Sequence, residues 1–271
     1  MIYSDDRLKK LQETEIEIAK EIIRICNNND ISYFSVGGTT LGAVRHNGFI
    51  PWDDDMDLGM QREDYNRFLQ IASKQLSEDF VLQHYSVEPK TPTYHAKVMK
   101  RDTLFVESYA EKIDIPHGVF VDVMPFDNIP TDERELKKYR HTVKKYHQLF
   151  IAKSVWKTSL TKGKRKYLFT IIRSVLHVLM KPVPKEYLYK QLERELQKYN
   201  ETETGKMSSR GLRAFECNKT DVFPTKPHAF DTLMLQIPKN EDVILKQQYG
   251  DYMKLPPIHQ RTGHEPKRLE I

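Results

Sequence analysis

The sequence predicts an α+β fold, a mixed strand-and-helix core with a large basic helical region attached, and three observations carry that reading. Short apolar runs of strand character lie between residues 31 and 124, interleaved with helical stripes. From residue 133 to 200 the pattern turns almost wholly helical. The composition, 39% hydrophobic and 30% charged without internal repeats, belongs to a chain that buries a core and excludes a disordered one. A length of 271 residues suits one or two domains. We divide it into a core over residues 1–132, a basic helical region over 133–200, and a C-terminal part over 201–271 packing on the core.

The elements follow in order. Ser4 can cap a helix running to about residue 27, whose stripe is Leu8, Leu11, Ile18, Ile22 and Cys26. Residues 31–36 read as a short strand. Gly37-Gly38 turns the chain, and Thr39 can cap a short helix to His46. A loop through Pro51 leads to a strand over 55–60, then a helix over 62–72. Strands are predicted at 81–83, 96–99, 104–106 and, with the clearest pattern, 118–124. A helix over 242–249 stops at Gly250, and an irregular Pro-rich tail follows.

Charge is unevenly spread. Residues 137–185 hold 14 Lys or Arg and no Asp or Glu, which leaves the rest of a chain of net charge +5 at −9. Such asymmetry points to an anionic partner. Within this block, residues 167–180 place Thr170, Arg173, Ser174 and His177 on one helical face and apolar residues on the rest. Lys162, Lys164, Arg165 and Lys166 precede them. This pattern suits a helix lying in an anionic membrane surface, and equally one facing a core with a solvated basic flank. No helix-turn-helix, zinc finger or aromatic platform supports nucleic acid. Nothing approaches the roughly 20 apolar residues of a membrane span. The charged N-terminus lacks a signal core. A cytoplasmic protein, peripheral on the inner face of the plasma membrane, is the expectation. Cys26 and Cys217, the two cysteines, make neither a disulfide framework nor a zinc site and read as buried thiols.

The chemistry concentrates in residues 36–58. Gly37 and Gly38 let backbone N–H groups approach an anion, and Thr39 opens a helix whose N-terminus attracts phosphate. Asp55 and Asp57, two apart on a strand, share a face. Two carboxylates beside a phosphate cradle suit Mg²⁺, with Mn²⁺ as the alternative. An EF-hand is excluded, because Leu58 stands where its glycine must be. Asp122, inside the apolar run Gly-Val-Phe-Val-Asp-Val, is the third acid. A buried carboxylate there needs a partner or a metal. If its strand lies beside that of Asp57, the three acids Asp55, Asp57 and Asp122 converge and could together hold two Mg²⁺ ions. On chemistry, Arg45 and Lys97 are phosphate ligands. Trp52, beside the acids, either stacks on a base or packs.

These residues resemble the signature of the LicD family, which includes fukutin and its related protein. The resemblance rests on the run from Gly37 through Asp57, on Gly118-Val-Phe-Val-Asp-Val-Met-Pro-Phe-Asp127, on Tyr249-Gly-Asp-Tyr-Met-Lys-Leu-Pro-Pro257 and on Arg261-x-x-His264. It implies a nucleotidyltransferase-like mixed sheet core. It also implies transfer of a phospho-alcohol, phosphocholine foremost, from a CDP-activated donor to a sugar hydroxyl of a cell-envelope glycan or lipid-linked glycan. Ribitol or glycerol phosphate on a capsule or teichoic acid glycan, and nucleotidyl transfer releasing pyrophosphate, are the enzymatic alternatives. A membrane-associated adaptor is the non-enzymatic one. Under the resemblance Gly37, Gly38 and Thr39 hold donor phosphates, Asp55 and Asp57 bind Mg²⁺, and Asp122 completes the acids.

Overall fold

The computed structural model describes residues 4–155, 165–209, 215–264 and 266–271. In chain order the elements are α1 (Asp5–Asn28), β1 (Phe34–Ser35), α2 (Gly37–His46), β2 (Asp57–Gln61), α3 (Arg62–Gln75), β3 (Phe80–Gln83), β4 (Ala96–Lys100), β5 (Leu104–Val106) and β6 (Phe120–Asn128). Then come α4 (Glu133–Ser154), α5 (Arg165–Leu179), α6 (Lys185–Leu196), β7 (Lys206–Ser208), β8 (Glu216–Asn218), α7 (Lys219–Val222), β9 (Lys226–Phe230), β10 (Leu233–Ile237), α8 (Glu241–Tyr249) and β11 (Arg268–Glu270).

The α+β class holds. A mixed sheet runs β1-β2-β6-β4-β3, and β7 and β8 continue from the far end of β6. β2 and β6 are parallel, and the other pairings are antiparallel. Parallel pairing needs a long crossover, supplied here by the chain from α3 to β5. Because β2 and β6 run the same way, the register sets Asp57 directly beside Asp122. β4 sets Lys97 on the other side of Asp122. Three charged residues therefore lie in one row across three strands.

The main core lies under this sheet. Leu11, Ile18 and Ile22 of α1 pack with Met56, Leu58, Phe68, Val98 and Val121. A second cluster holds the helical region to the body, with Leu136, Tyr139 and Phe150 of α4 meeting Leu188, Leu192 and Leu196 of α6 and Tyr85 and Tyr94. Most of the residues expected to be helical over 133–200 form α4, α5 and α6; 180–184 and 197–200 are turns, and 156–164 lie outside the described residues.

Several expectations are corrected. Ser4 stands at the N-cap of α1 but its side chain makes no cap bond. The first strand is only two residues long. α2 begins at Gly37 with Val36 at its N-cap, so Thr39 does not cap it; its hydroxyl instead accepts the backbone N–H of Asp57 at 2.8 Å. The tail is not wholly irregular, since β11 pairs with β5. The β9–β10 hairpin was not anticipated.

Candidate active site

Several chain segments meet at the start of β2 and β6. The loop before β2 brings Asp53, Asp54 and Asp55; the strand begins only at Asp57, so Asp55 stands in the loop and not on the expected strand over 55–60, and Asp55 and Asp57 are both half-buried on either side of buried Met56. The predicted convergence of Asp57 and Asp122 is present in the register. Gly37, with φ +56°, and Gly38 start α2 beside these acids. A Cβ on Gly38 would stand 2.7 Å from an Asp53 carboxylate oxygen, so a larger residue there would displace that carboxylate. A carboxylate thus already faces the helix N-terminus, where negative charge is favoured.

The acids raise one another. Burial first, and then the charges of Asp55 and Asp54, push the Asp53 carboxyl up; Asp55 is pushed up by burial and by Asp122 and Asp54. Tyr249 joins them, its hydroxyl pushed up to about 12 by burial and by Asp53, Asp57 and Asp55. Among the described residues, the three ligand-type groups closed to within 4.8 Å of one another are Asp54, Asp55 and His264. That grouping differs from the predicted trio of Asp55, Asp57 and Asp122, although Asp55 is common to both.

His264 is the main residue whose role the sequence did not disclose. Both oxygens of fully buried Asp54 accept its backbone N–H, at 2.9 and 2.8 Å, and its Nδ1 is 2.9 Å from Asp54 and 3.7 Å from Asp55. A Cβ on Gly263 would collide with the Asp54 carboxylate at 2.6 Å. The hydrogen bond that His264 donates to Asp54, opposed by burial and helped by the charges of Asp55, Asp54 and Asp53, pushes the imidazole up to about 10, so it is charged at neutral pH.

Asp122 has basic neighbours of its own. His95 Nε2 lies 3.2 Å and Lys97 Nζ 3.7 Å from its Oδ1. Lys97 is buried, donates to Glu107 at 2.8 Å and stands 3.3 Å above the Phe120 ring. Against the burial that lowers it, Asp122 and Glu107 hold the Lys97 ammonium above its ordinary range. Its contacts are carboxylates, which makes it a counter-ion of the acid row. Arg45 sits in the last turn of α2 and donates to the Tyr252 carbonyl at 2.6 Å; burial lowers its guanidinium, while Tyr249 and Asp53 act on it the other way, so it reaches the edge of the acid cluster.

Glu15 was also missed. It comes from α1, is buried, and is pushed well up by burial and then by Asp55, Asp54, Asp53 and Asp57. Its signal lay in the sequence, an acid on the apolar stripe between Leu11 and Ile18. Next to Asp53, whose carbonyl accepts from Gln12 at 2.9 Å, a cleft of about 630 Å³ is lined by Leu8, Trp52, Leu255, Ile258 and Arg261 among others. Arg261 lies 4.8 Å over the Trp52 ring.

A family model described as "LicD/FKTN/FKRP, nucleotidyltransferase domain" matches residues 30–186, more than half of the chain and all of the acid row. The chain belongs to the LicD/FKTN/FKRP family. The lipopolysaccharide cholinephosphotransferase LicD of Haemophilus influenzae is 25% identical over 274 aligned positions, covering 97% of this chain and 98% of that protein. The human ribitol 5-phosphate transferase FKRP is 38% identical over 64 residues, 24% of this chain and 12% of its own length. In this LicD-family chain, Glu15 and His264 lie outside the matched stretch and reach the acids through folding alone.

Proposed function

We propose that this protein transfers a phospho-alcohol, phosphocholine foremost, from a CDP-activated donor to a sugar hydroxyl of a cell-envelope glycan. The single observation that carries the reading is the Asp57–Asp122 pair on adjacent parallel strands beside the Gly37-Gly38 helix start. Similarity to the lipopolysaccharide cholinephosphotransferase across nearly the whole chain supports the substrate class. The family description supports a nucleotidyltransferase-like core.

The residues fit a divalent cation. The carboxylates offer hard oxygen donors, and besides burial Asp53 is pushed up by Asp55 and Asp54, and Asp55 by Asp122 and Asp54, a crowding that a cation relieves. Asp55 and Asp57 would hold Mg²⁺, which when bound supplies neutralisation of the donor diphosphate. The N–H groups at the start of α2 would orient donor phosphates, with Thr39 locking α2 to the first residue of β2. Asp122, flanked by His95 and Lys97, would accept the proton of the attacking sugar hydroxyl. The new bond joins that oxygen to the alcohol-bearing phosphorus, the bond to the other phosphate breaks, and CMP leaves with inversion. The cleft beside Trp52, about 630 Å³, is of the size that holds a small organic ligand.

CMP release from CDP-choline, CDP-ribitol and CDP-glycerol tests this, with Mg²⁺ or EDTA and an envelope glycolipid extract as acceptor. Mg²⁺-dependent CMP with CDP-choline is expected. CMP with CDP-ribitol instead would favour the second reading, to which the FKRP similarity points. Pyrophosphate from a nucleoside triphosphate would replace both with nucleotidyl transfer.

A further inference from the structure

Helix α5 is built inside out. Its polar residues face protein: Arg173 Nε donates to the Val155 carbonyl at 2.9 Å, and His177 Nδ1 to the Ala152 carbonyl at 2.8 Å, both at the C-terminal end of α4. Lys153 of α4 answers by donating to the carbonyls of Met180 and Lys181, at 2.9 and 2.6 Å, where α5 ends. Ser174 turns back onto the Thr170 carbonyl. The apolar residues point the other way. Ile171, Ile172, Val175, Val178 and Leu179 are each between 53% and 61% exposed. Their spacing of one, four, seven and eight residues from the first makes one continuous face.

A helix that covers a globular core turns its apolar stripe inward. This one spends its polar face on α4 and leaves the stripe outside, and a contiguous exposed apolar face marks a binding surface. Charge selects the occupant. The stripe sits in the stretch from 137 to 185 that has 14 Lys or Arg and no acid, and Lys144, Lys145 and Lys181 are exposed there. A second copy would set this positive block against itself. An anionic lipid surface answers both the charge and the stripe. Among the described residues no helix is long and apolar enough to cross a membrane, so contact is with the interface.

We propose that the outward face of α5 docks this protein onto an anionic bilayer, the helix lying in the plane of the interface. The proposal goes beyond the transfer reaction and does not depend on which alcohol is carried. It resolves the ambiguity left by the sequence, where the same periodicity suited a core-facing helix.

The test is flotation of the full chain with vesicles of phosphatidylcholine alone and of equimolar phosphatidylcholine and phosphatidylglycerol. The expected result is flotation with the anionic vesicles only, weakened by salt. A triple variant, Ile172→Ser, Val175→Ser and Leu179→Ser, alters exposed side chains and spares the inward bonds; its partitioning should fall by about 10-fold or more. Lys144→Glu with Lys145→Glu should weaken binding through charge alone. The proposal is overturned if the wild-type chain does not float with anionic vesicles, or if the triple variant floats equally well. It is also overturned if sedimentation finds a dimer that the triple variant dissolves, since a second copy would then be the occupant.

Discussion

Strands β2 and β6 lie side by side, and the acids at their two ends are treated in opposite ways. Just past their last registered pair, Gln61 with Phe126, the Arg62 guanidinium grips Asp127 through two bonds of 2.8 and 2.6 Å and Glu193 through a third of 2.9 Å. Asn200 adds a fourth contact to Asp127 at 2.7 Å. Every charge there has a partner of opposite sign in good geometry. At the first pair, Asp57 with Asp122, carboxylates outnumber the cations that reach them. Glu15, Asp53 and Asp55 are all pushed up by burial and by neighbouring carboxylates. The difference teaches that buried acid alone does not mark a working site in this protein. The mark is acid that the fold leaves crowded, because only an incoming cation or substrate completes it.

The comparison breaks most visibly at the paired end. Arg62→Ala strands Asp127 and Glu193 in the interior, and loss of one partner of a buried pair costs about 3–5 kcal/mol. Urea unfolding should show that loss, while turnover of the folded fraction stays at the wild-type level. An Arg62→Ala protein as stable as the wild type would mean that the network does not hold the helical region to the sheet.

Next in size is an acid sensitivity placed near the same end. His84, between Tyr65 and Tyr189, is buried neutral, and burial lowers its pKa to about 4. Its folded pKa lies below the ordinary 6.5, so the unfolded chain takes up the proton first and stability falls as pH drops from about 6.5 to about 4. At roughly 1.4 kcal/mol per unit, the loss amounts to about 3 kcal/mol. His84→Gln should flatten that slope in unfolding curves at several pH values. An unchanged slope would move the acid sensitivity elsewhere.

The smallest expected effect sharpens the crowded end. His264 holds Asp54 and stands 3.7 Å from Asp55 without belonging to the strand acids. His264→Ala should lower turnover by about 10-fold, the scale of lost outer support at a metal or charged site, with little change in melting temperature. Unaltered turnover would make the His264–Asp54 contact purely a fastening of the tail.

Much of this was legible in the sequence, for reasons that differ by residue. Asp122 stood out because an acid in an apolar strand run demands a partner, and Asp55 and Asp57 because two-residue spacing on a strand puts residues on one face, although Asp55 stands in the loop before β2. Glu15 was equally visible as an acid on the α1 stripe, but its partners arrive only when α1 packs beneath the sheet. The Arg261-x-x-His264 motif marked His264 but not its role, which depends on the tail returning more than 200 residues later to close on Asp54. β11 is likewise made by its partner β5. The β9–β10 hairpin hid behind Pro227, although Leu233, Leu235 and Ile237 alternate inward as a strand should. In α5 the periodicity separated two faces correctly, but which face turns inward is decided by the carbonyls at the end of α4.

The most direct test of the account is turnover of Asp57→Asn, which removes one negative charge with almost no change in shape. Measured as Mg²⁺-dependent CMP release from CDP-choline, the account predicts a fall of about 100-fold or more, because a ligand should matter more than its outer support. Thermal melting in EDTA should be equal to or higher than that of the wild type, since one of several crowded charges is gone. A well-folded Asp57→Asn protein with near-normal turnover would contradict the account, and the crowded acids would then need an explanation other than catalysis.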